Sequence, residues 1–225
     1  MVEVDDQPLP STDREVGIDL GLTHFAVLSD GRKVDNPRIA RKAARKLRRA
    51  QQELFRRQRG SKNRATSVRK VARCHARVAD TRRDWLHKLS TTIVQENQLI
   101  AVEDLAVAGL ARTRLARSVN DAGWSTFVGM LDYKARRHGR TFARVDRWLP
   151  STRACSVCGA IGAAKPLHVR TWTCGCGTVH DRDVNAARNI LAAGRADSPT
   201  PVELMSAVPS GTQSAVKQEP TGSAA

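Results

Sequence analysis

Short apolar runs alternate with long helical stripes along this chain. From Glu15 to Leu20 and again from His24 to Leu28 the apolar positions are close-set, broken by Gly21 and by the turn Ser29-Asp30-Gly31. This pattern predicts a hairpin of two strands, with Asp19 in a central strand. After Asn36-Pro37, Ala40, Ala43, Leu47, Ala50 and Leu54 recur at helical spacing until Gly60, and a second stripe runs through Val68, Val71, Ala72, Val78, Ala79, Leu86, Leu89 and Ile93. The two stripes predict long helices joined at Arg59-Gly60-Ser61, a helical hairpin inserted between strands. Leu99 to Val102 has the pattern of a buried strand that delivers Glu103 at its C-terminal end, where α/β folds place their sites. Ala122 to Gly139 predicts another helix, Thr141 to Trp148 a strand, and Asp183 to Gly194 a last helix. Residues 150–178, rich in Cys and Gly, show no helical period and predict a small module whose fold depends on a metal ion. No internal repeat is visible.

The length of 225 residues and 40% hydrophobic content suffice for one fair-sized domain carrying an insertion and a small satellite. Charge adds more than size does. The formal net charge is +16, and residues 38–83 hold 18 Lys or Arg against only Glu53 and Asp80, so the remainder of the chain is balanced. An excess confined to one segment is a basic arm on a neutral body, the electrostatic footprint of a polyanion partner. Unpaired like charges at helical spacing also destabilise the helices unless something neutralises them. Phosphate contacts are therefore expected from Arg41, Arg45, Arg48, Arg49, Arg56, Arg57, Lys62, Arg64, Arg69 and Lys70. A solvated helical face is the plain alternative. Membrane binding is disfavoured, because the apolar positions of the arm are mostly Ala, without a Trp or Phe stripe suited to insertion. No stretch is long and apolar enough to span a bilayer, and residues 1–10 are acidic and Pro-containing where a signal peptide is basic then apolar, which predicts a cytoplasmic protein.

Five cysteines fit a reduced compartment with one metal site better than a disulfide framework. Cys155-x2-Cys158 and Cys174-x-Cys176 make a two-plus-two set suited to tetrahedral zinc, with Gly175 and Gly177 giving backbone freedom to the tighter knuckle. Four thiolates leave no open position, so that site is structural; His168 and His180 could substitute as ligands, though a histidine beside a complete set of four thiolates is more often a bystander or a nucleic-acid contact. Three carboxylates lie elsewhere: Asp19, Glu103 and Asp183. Asp19 and Glu103 interrupt or end apolar strands, where ionised side chains repel one another unless a cation neutralises them. Hard divalent cations take such oxygen ligands. The plain alternatives are a salt bridge to Lys or Arg for Glu103 and a helix N-cap for Asp183, with Asp104 and Asp181 in capping or supporting roles. Trp85, Trp124, Trp148 and Trp172 can stack on bases, though buried packing suits most of them better.

Taken in order, Gly17-Ile18-Asp19-Leu20-Gly21, the basic insertion, Val102-Glu103-Asp104-Leu105, Asp146-Arg147-Trp148, Cys155-Ser156-Val157-Cys158-Gly159, Trp172-Thr173-Cys174 and His180-Asp181-Arg182-Asp183-Val184-Asn185-Ala186-Ala187 resemble the TnpB (OrfB) proteins of insertion sequences, relatives of the type V CRISPR nucleases. The resemblance spans about residues 15 to 195 and implies an α/β fold: an RNase H-like (RuvC-type) mixed sheet with an inserted basic helical hairpin and a small zinc ribbon. It implies a nuclease core at 15–149 and 181–195, a helical insertion at 37–98 and a zinc ribbon at 150–180, followed by a tail, 196–225, whose composition predicts disorder. It carries catalytic roles to Asp19, Glu103 and Asp183 and zinc ligation to Cys155, Cys158, Cys174 and Cys176. The implied activity is that of an RNA-guided DNA endonuclease, or transposase, in which the three carboxylates hold two Mg2+ about 3.5 to 4 Å apart for phosphodiester hydrolysis. Family members also carry an N-terminal region that grips the guide RNA. Residues 1–14 match only its last stub, so a truncated form is expected, with DNA as partner and guide RNA dependent on that region. Two alternatives remain open: a catalytically inactive remnant binding DNA or guide RNA through the arm and zinc ribbon, and an unrelated zinc-ribbon RNA-binding protein, which leaves the carboxylates unexplained.

Overall fold

The computed structural model describes residues 6–197. The expected tail beyond residue 197 and the first five residues of the expected stub lie outside the described residues. The central element is a mixed five-stranded sheet in the order β3-β2-β1-β4-β5, built from β1 (Glu15–Leu20), β2 (His24–Leu28), β3 (Lys33–Asp35), β4 (Leu99–Glu103) and β5 (Thr141–Val145). β1 pairs antiparallel with β2, and β2 with β3, whereas β1–β4 and β4–β5 are parallel. The two expected hairpin strands form as predicted, and the hairpin continues into β3. That third strand is only three residues long with a single half-buried side chain, Val34, too little periodicity to stand out in the sequence.

The alternation of side chains along the strands sorts the molecule into layers. Val16, Ile18, Leu20, Ile100 and Val102 point to one face and form the larger core with helices α2 (Lys62–Glu96), α4 (Ala116–Ala122) and α5 (Trp124–Arg137). Phe25 centres that core, with edge-on ring contacts to Trp85 at 4.7 Å and Phe127 at 5.0 Å. Gly17, Asp19, Ala101, Glu103, Ala143 and Val145 alternate with them and lie toward the opposite face, where α6 (Arg182–Ala196) packs through Ile190 and Leu191. The helix lies very close. A Cβ on Gly17 would meet the Ala187 carbonyl oxygen at 2.0 Å and the Leu191 nitrogen at 2.6 Å, and a Cβ on Gly194 would meet the Ala101 Cβ at 2.4 Å. Only residues without a side chain permit this approach.

The helical hairpin consists of α1 (Ile39–Phe55) and the first half of α2. Ser61 caps α2 by accepting the Arg64 N–H at 3.1 Å, and Gly60 takes a φ of 82° at the turn, which L side chains rarely adopt. The predicted stripe of α1 from Ala40 to Leu54 is half-buried against α2, and no residue of α1 is fully buried. Asp121 of α4 anchors the base of the hairpin: its carboxylate accepts the Ala40 N–H at 2.8 Å and the Arg41 N–H at 3.2 Å, while Arg82 of α2 pairs with it at 3.2 Å. From Trp85 onward α2 leaves the arm and enters the core, with Leu86, Ser90, Ile93 and Val94 buried. Between β4 and α5 the chain adds α4 and the single turn α3 (Val107–Leu110). No described helix is long and apolar enough to cross a membrane. Residues 7–9 dock on the end of α5 through Gln7 N–H to Arg137 and Leu9 N–H to His138 carbonyl bonds.

The Cys-rich segment forms a two-stranded sheet of β6 (Thr171–Thr173) and β7 (Val179–Asp181), and β7 runs directly into α6. Substituting Gly17→Ala should destabilise the protein by about 1 to 3 kcal/mol, because its methyl group falls on α6 backbone. Gly129→Ala, at an exposed helical position with open space around it, should be neutral or stabilising by about 1 kcal/mol. Urea unfolding of the two variants checks the contrast; equal effects would mean that α6 does not lie where described.

Candidate metal and nucleic-acid site

β1 and β4 run parallel with Ile18 beside Val102, so the next residues along each strand, Asp19 and Glu103, share one end and one face of the sheet. Asp183 reaches the same place from the first turn of α6. The N-cap of that helix is Asp181, whose carboxylate accepts the Asp183 and Val184 N–H groups at 3.1 Å each. The capping role considered for Asp183 thus belongs to its neighbour, which leaves the Asp183 side chain available to the site. Lys33 of β3 holds the other oxygen of Asp181 at 2.6 Å and ties the start of α6 to the hairpin.

Electrostatics join the three carboxylates through Asp19. Burial pushes its pKa from 3.8 up to about 8, and the charges of Glu103 and then Asp183 push in the same direction, only partly offset by Arg182 and Arg170. Glu103 is also raised, first by burial and then by Asp104. No Lys or Arg pairs with Glu103 among the described residues; Arg147 pairs instead with Asp104. The salt-bridge alternative for Glu103 is therefore not what the structure contains. Among the described residues the three carboxylates do not gather as tightly as the cysteines do, and Asp19 is the member coupled to both others.

Arg170 carries no signal in the sequence. It lies in the Cys-rich module, yet its guanidinium donates to both oxygens of Asp183 at 3.2 and 3.3 Å and approaches the Thr23 hydroxyl at 3.5 Å. It is brought there by the fold, since the Arg182 N–H donates to the Arg170 carbonyl at 2.8 Å just before α6.

The cysteine cluster assembles as the spacing predicts. The sulfurs of Cys155, Cys158, Cys174 and Cys176 lie within 4.8 Å of one another and could hold a metal ion. The Thr178 hydroxyl and amide lower the Cys176 thiol to about 6. The Ala160 amide favours a thiolate at Cys158, but the three neighbouring thiols outweigh it and hold Cys158 up at about 12. Such a set cannot become fully anionic without a cation to neutralise it. His180 is buried, with Nε2 3.0 Å from the Cys155 sulfur and its ring 4.7 Å from Trp172, so it supports the knuckle from inside; His168 makes no comparable contact among the described residues. Asn185 and Asn189 of α6 fasten the module: both donate to the Ser151 and Ala154 carbonyls at 2.7 to 3.3 Å, and Asn185 also accepts the Ser156 N–H.

The basic arm presents Arg41, Arg45, Arg48, Arg49, Arg56, Arg57, Lys62, Arg69 and Lys70 to solvent. Glu53 takes up part of this charge, pairing with Lys70 at 2.8 Å and Arg57 at 3.8 Å. Arg64 is different: half-buried, it donates to the Leu54 and Arg57 carbonyls and closes the hairpin turn. Of the four tryptophans, Trp124 is buried, Trp85 and Trp172 are partly buried, and Trp148 is 83% exposed.

Comparison with known proteins gives the site its context. Residues 124–190 match a model described as the Cas12f1-like TNB domain. A Streptomyces pristinaespiralis protein named "Putative RNA-guided DNA endonuclease" is 50% identical over 192 residues, covering 85% of this chain and 48% of that protein. The Escherichia coli K12 protein InsQ, of the same printed description, is 33% identical over 92% of this chain and 54% of its own length. The chain thus spans about half the length of these curated relatives. A TnpB-like protein of Acanthamoeba polyphaga mimivirus is 28% identical over 60% of this chain. Among solved structures, a Cas12f1 chain from a complex with sgRNA and target DNA superposes with a TM-score of 0.56 at 14% identity, over 81% of this chain and 50% of that one, which shows a shared fold. Residues 1–114, more than half of the sequence, match the model described as "Probable transposase", and the chain belongs to that family, OrfB_IS605, the TnpB family.

Proposed function

We propose that this chain carries the nuclease half of a TnpB-type RNA-guided DNA endonuclease, with a RuvC-type core at residues 15–149 and 181–195, the helical insertion 37–98 and a zinc ribbon at 150–180. The observation that carries this is the coupling of Asp19 to both Glu103 and Asp183, three carboxylates from separate segments placed at one end of a parallel strand pair. The mixed sheet order and the likeness to the Cas12f1 chain support the core assignment. Mutual repulsion at Asp19 marks a site short of positive charge, and hard oxygen ligands fit Mg2+. Asp19, Glu103 and Asp183 would hold the metal, which when bound supplies an activated water and stabilises the leaving oxygen of the phosphodiester. Asp19 gives up its proton as the cation enters. Lys33 and Asp181 fix the turn that carries Asp183, and Arg170 neutralises Asp183 until the cation does. The exposed cations of the arm bind backbone phosphates, and they serve DNA and guide RNA alike. The cysteine set would hold zinc with all four positions filled, so its contribution is structural.

A non-enzymatic nucleic-acid-binding form is the second reading, and the Arg170 guanidinium on Asp183 favours it. Cleavage of labelled single-stranded DNA separates the two. With Mg2+, Asp19→Ala should reduce cutting by at least roughly two to three orders of magnitude while leaving DNA affinity nearly intact. Cutting that survives the substitution removes Asp19 from the site, and a wild-type protein that binds but never cuts supports the second reading.

The raised Asp19 pKa sets a pH dependence. A carboxyl whose folded value exceeds its unfolded one holds its proton longer in the folded state, so the Mg2+-free protein should lose stability as pH rises from about 4 to about 8. In the same window the affinity for Mg2+ should rise, since the ion competes with that proton. Melting temperatures from pH 5 to 9, in Mg2+-free buffer or with Mg2+, should show a fall that Mg2+ suppresses and that Asp19→Asn abolishes; a wild-type profile indifferent to Mg2+ contradicts the metal assignment.

Zinc removal gives a separate outcome. Cys155→Ser should lower bound zinc from one equivalent to near none by elemental analysis, and should lower the melting temperature, because Ser151, Ala154 and Ser156 hang from α6 beside that ligand. Retained zinc would show that the four thiols are not its site.

A further inference from the structure

Phe55 ends the first helix of the arm with its ring in water: at 91% it is the most exposed large hydrophobic side chain of the described residues. A lone apolar side chain at a surface is ordinary. Three features set this one apart. Arg48, Gln51 and Gln52 precede it by seven, four and three residues, so they share its face of α1, and with Arg56 they line a shallow groove of about 320 Å3. The side chains of those four residues make no hydrogen bond or ion pair among the described residues, in contrast to Arg57, which pairs with Glu53. The backbone beneath the ring is fixed as well. Arg64 donates to the carbonyls of Leu54 and Arg57 at 3.2 Å each, on either side of Phe55, and the Ser61 hydroxyl donates to the Gln58 carbonyl at 2.9 Å. The turn that carries the ring is thus braced from the start of α2.

We infer that this face of α1 is a stacking platform for an unpaired nucleobase, with Phe55 against the plane of the base, Gln51 and Gln52 at its edge and Arg48 and Arg56 on the adjoining phosphates. The inference rests on the reading of the arm as a nucleic-acid contact. Phosphate binding alone calls for cations and leaves an aromatic ring in water among them unexplained. A flat ring, two amides and two guanidinium groups on one face are complementary to an anionic strand whose base is turned outward: the ring stacks, the amides meet donors and acceptors of the base, and the cations neutralise the backbone. Because the turn is already ordered, presenting the ring costs little conformational entropy on binding. The base planes of a duplex are covered by their neighbours, so only a single strand, a loop or a bulge can use the platform. The arm therefore separates such strands from duplex, which its cations alone do not. DNA and RNA both offer a base of this kind.

Binding of labelled single-stranded oligonucleotides of one sequence, as DNA and as RNA, to the full chain in Mg2+-free buffer over a range of salt concentrations tests this apart from cleavage. Phe55→Ala should weaken single-strand binding about tenfold at every salt concentration. It should leave the salt dependence, and the affinity for a duplex of equal length, as in the wild type, because the lost contact carries no charge. Phe55→Trp should keep the wild-type affinity or exceed it. Arg56→Ala should act differently, lowering the slope of log affinity against log salt by about one for single strand and duplex alike. Whichever strand Phe55→Ala binds less tightly, DNA or RNA, is the one whose base the arm takes. Wild-type affinity of Phe55→Ala for both single strands overturns the inference. So does a self-association of the wild type that Phe55→Ala abolishes while those affinities stay unchanged, which makes the ring a protein contact. A salt slope lowered by Arg56→Ala beside an indifferent Phe55→Ala strikes only the stacking site; if neither variant alters the binding of any strand, the reading of the arm as a nucleic-acid contact fails with it.

Discussion

The seating of α6 on the sheet is the constraint from which the rest of the structure follows. The helix approaches so closely that Gly17 and Gly194 have no room for a Cβ, and Ala101 and Ala143 form the surface beneath it. Small residues along both partners let backbones come within reach of each other. That contact fixes the height and direction of the helix, and therefore the place of its first turn over the ends of β1 and β4. Asp183 meets Asp19 and Glu103 because α6 lies flat on the strands that carry them. Burial and then the neighbouring charges of Glu103 and Asp183 raise the Asp19 carboxyl there.

The same helix links the carboxylates to the cysteine cluster. Its N-cap and first turn serve the carboxylates, while Asn185 and Asn189, one and two turns further on, grip the loop that holds Cys155. Arg170 bridges in the other direction, from the Cys-rich module to Asp183. A disturbance at the cysteines therefore has a short path to the carboxylates, through packed helix and through one guanidinium. The arm stands apart. Its charge is displayed on α1 and the first half of α2, which contribute little to the core and are anchored at their base by Asp121.

Much of this was legible in the sequence because the signals were local and periodic. The strands carrying Asp19 and Glu103 were apolar runs with one carboxylate each, the hairpin was two stripes joined at a glycine, and the cysteine spacing already described a knuckle. What escaped was tertiary. β3 and α3 are too short to show a period, and α4 has no apolar stripe beyond Val119 and Ala122. The second half of α2 carries the same stripe as the first, so nothing marked where it leaves solvent for the core. Arg170, Lys33 and Asp121 act through partners 13, 148 and about 80 residues away, which no window of sequence can reveal. Arg64 stands in the same basic run as its neighbours, and nothing local in the sequence shows that one nitrogen of its guanidinium donates to the carbonyls of the turn.

The central claim is that Asp19, Glu103 and Asp183 together hold divalent cations. Crystals of the full chain soaked in Mn2+ and measured for anomalous scattering test it most directly. The account predicts manganese density among Asp19, Glu103 and Asp183, with Arg170 drawn away from Asp183. Crystals that show no manganese among these carboxylates, with Arg170 still in place at saturating concentration, would contradict it.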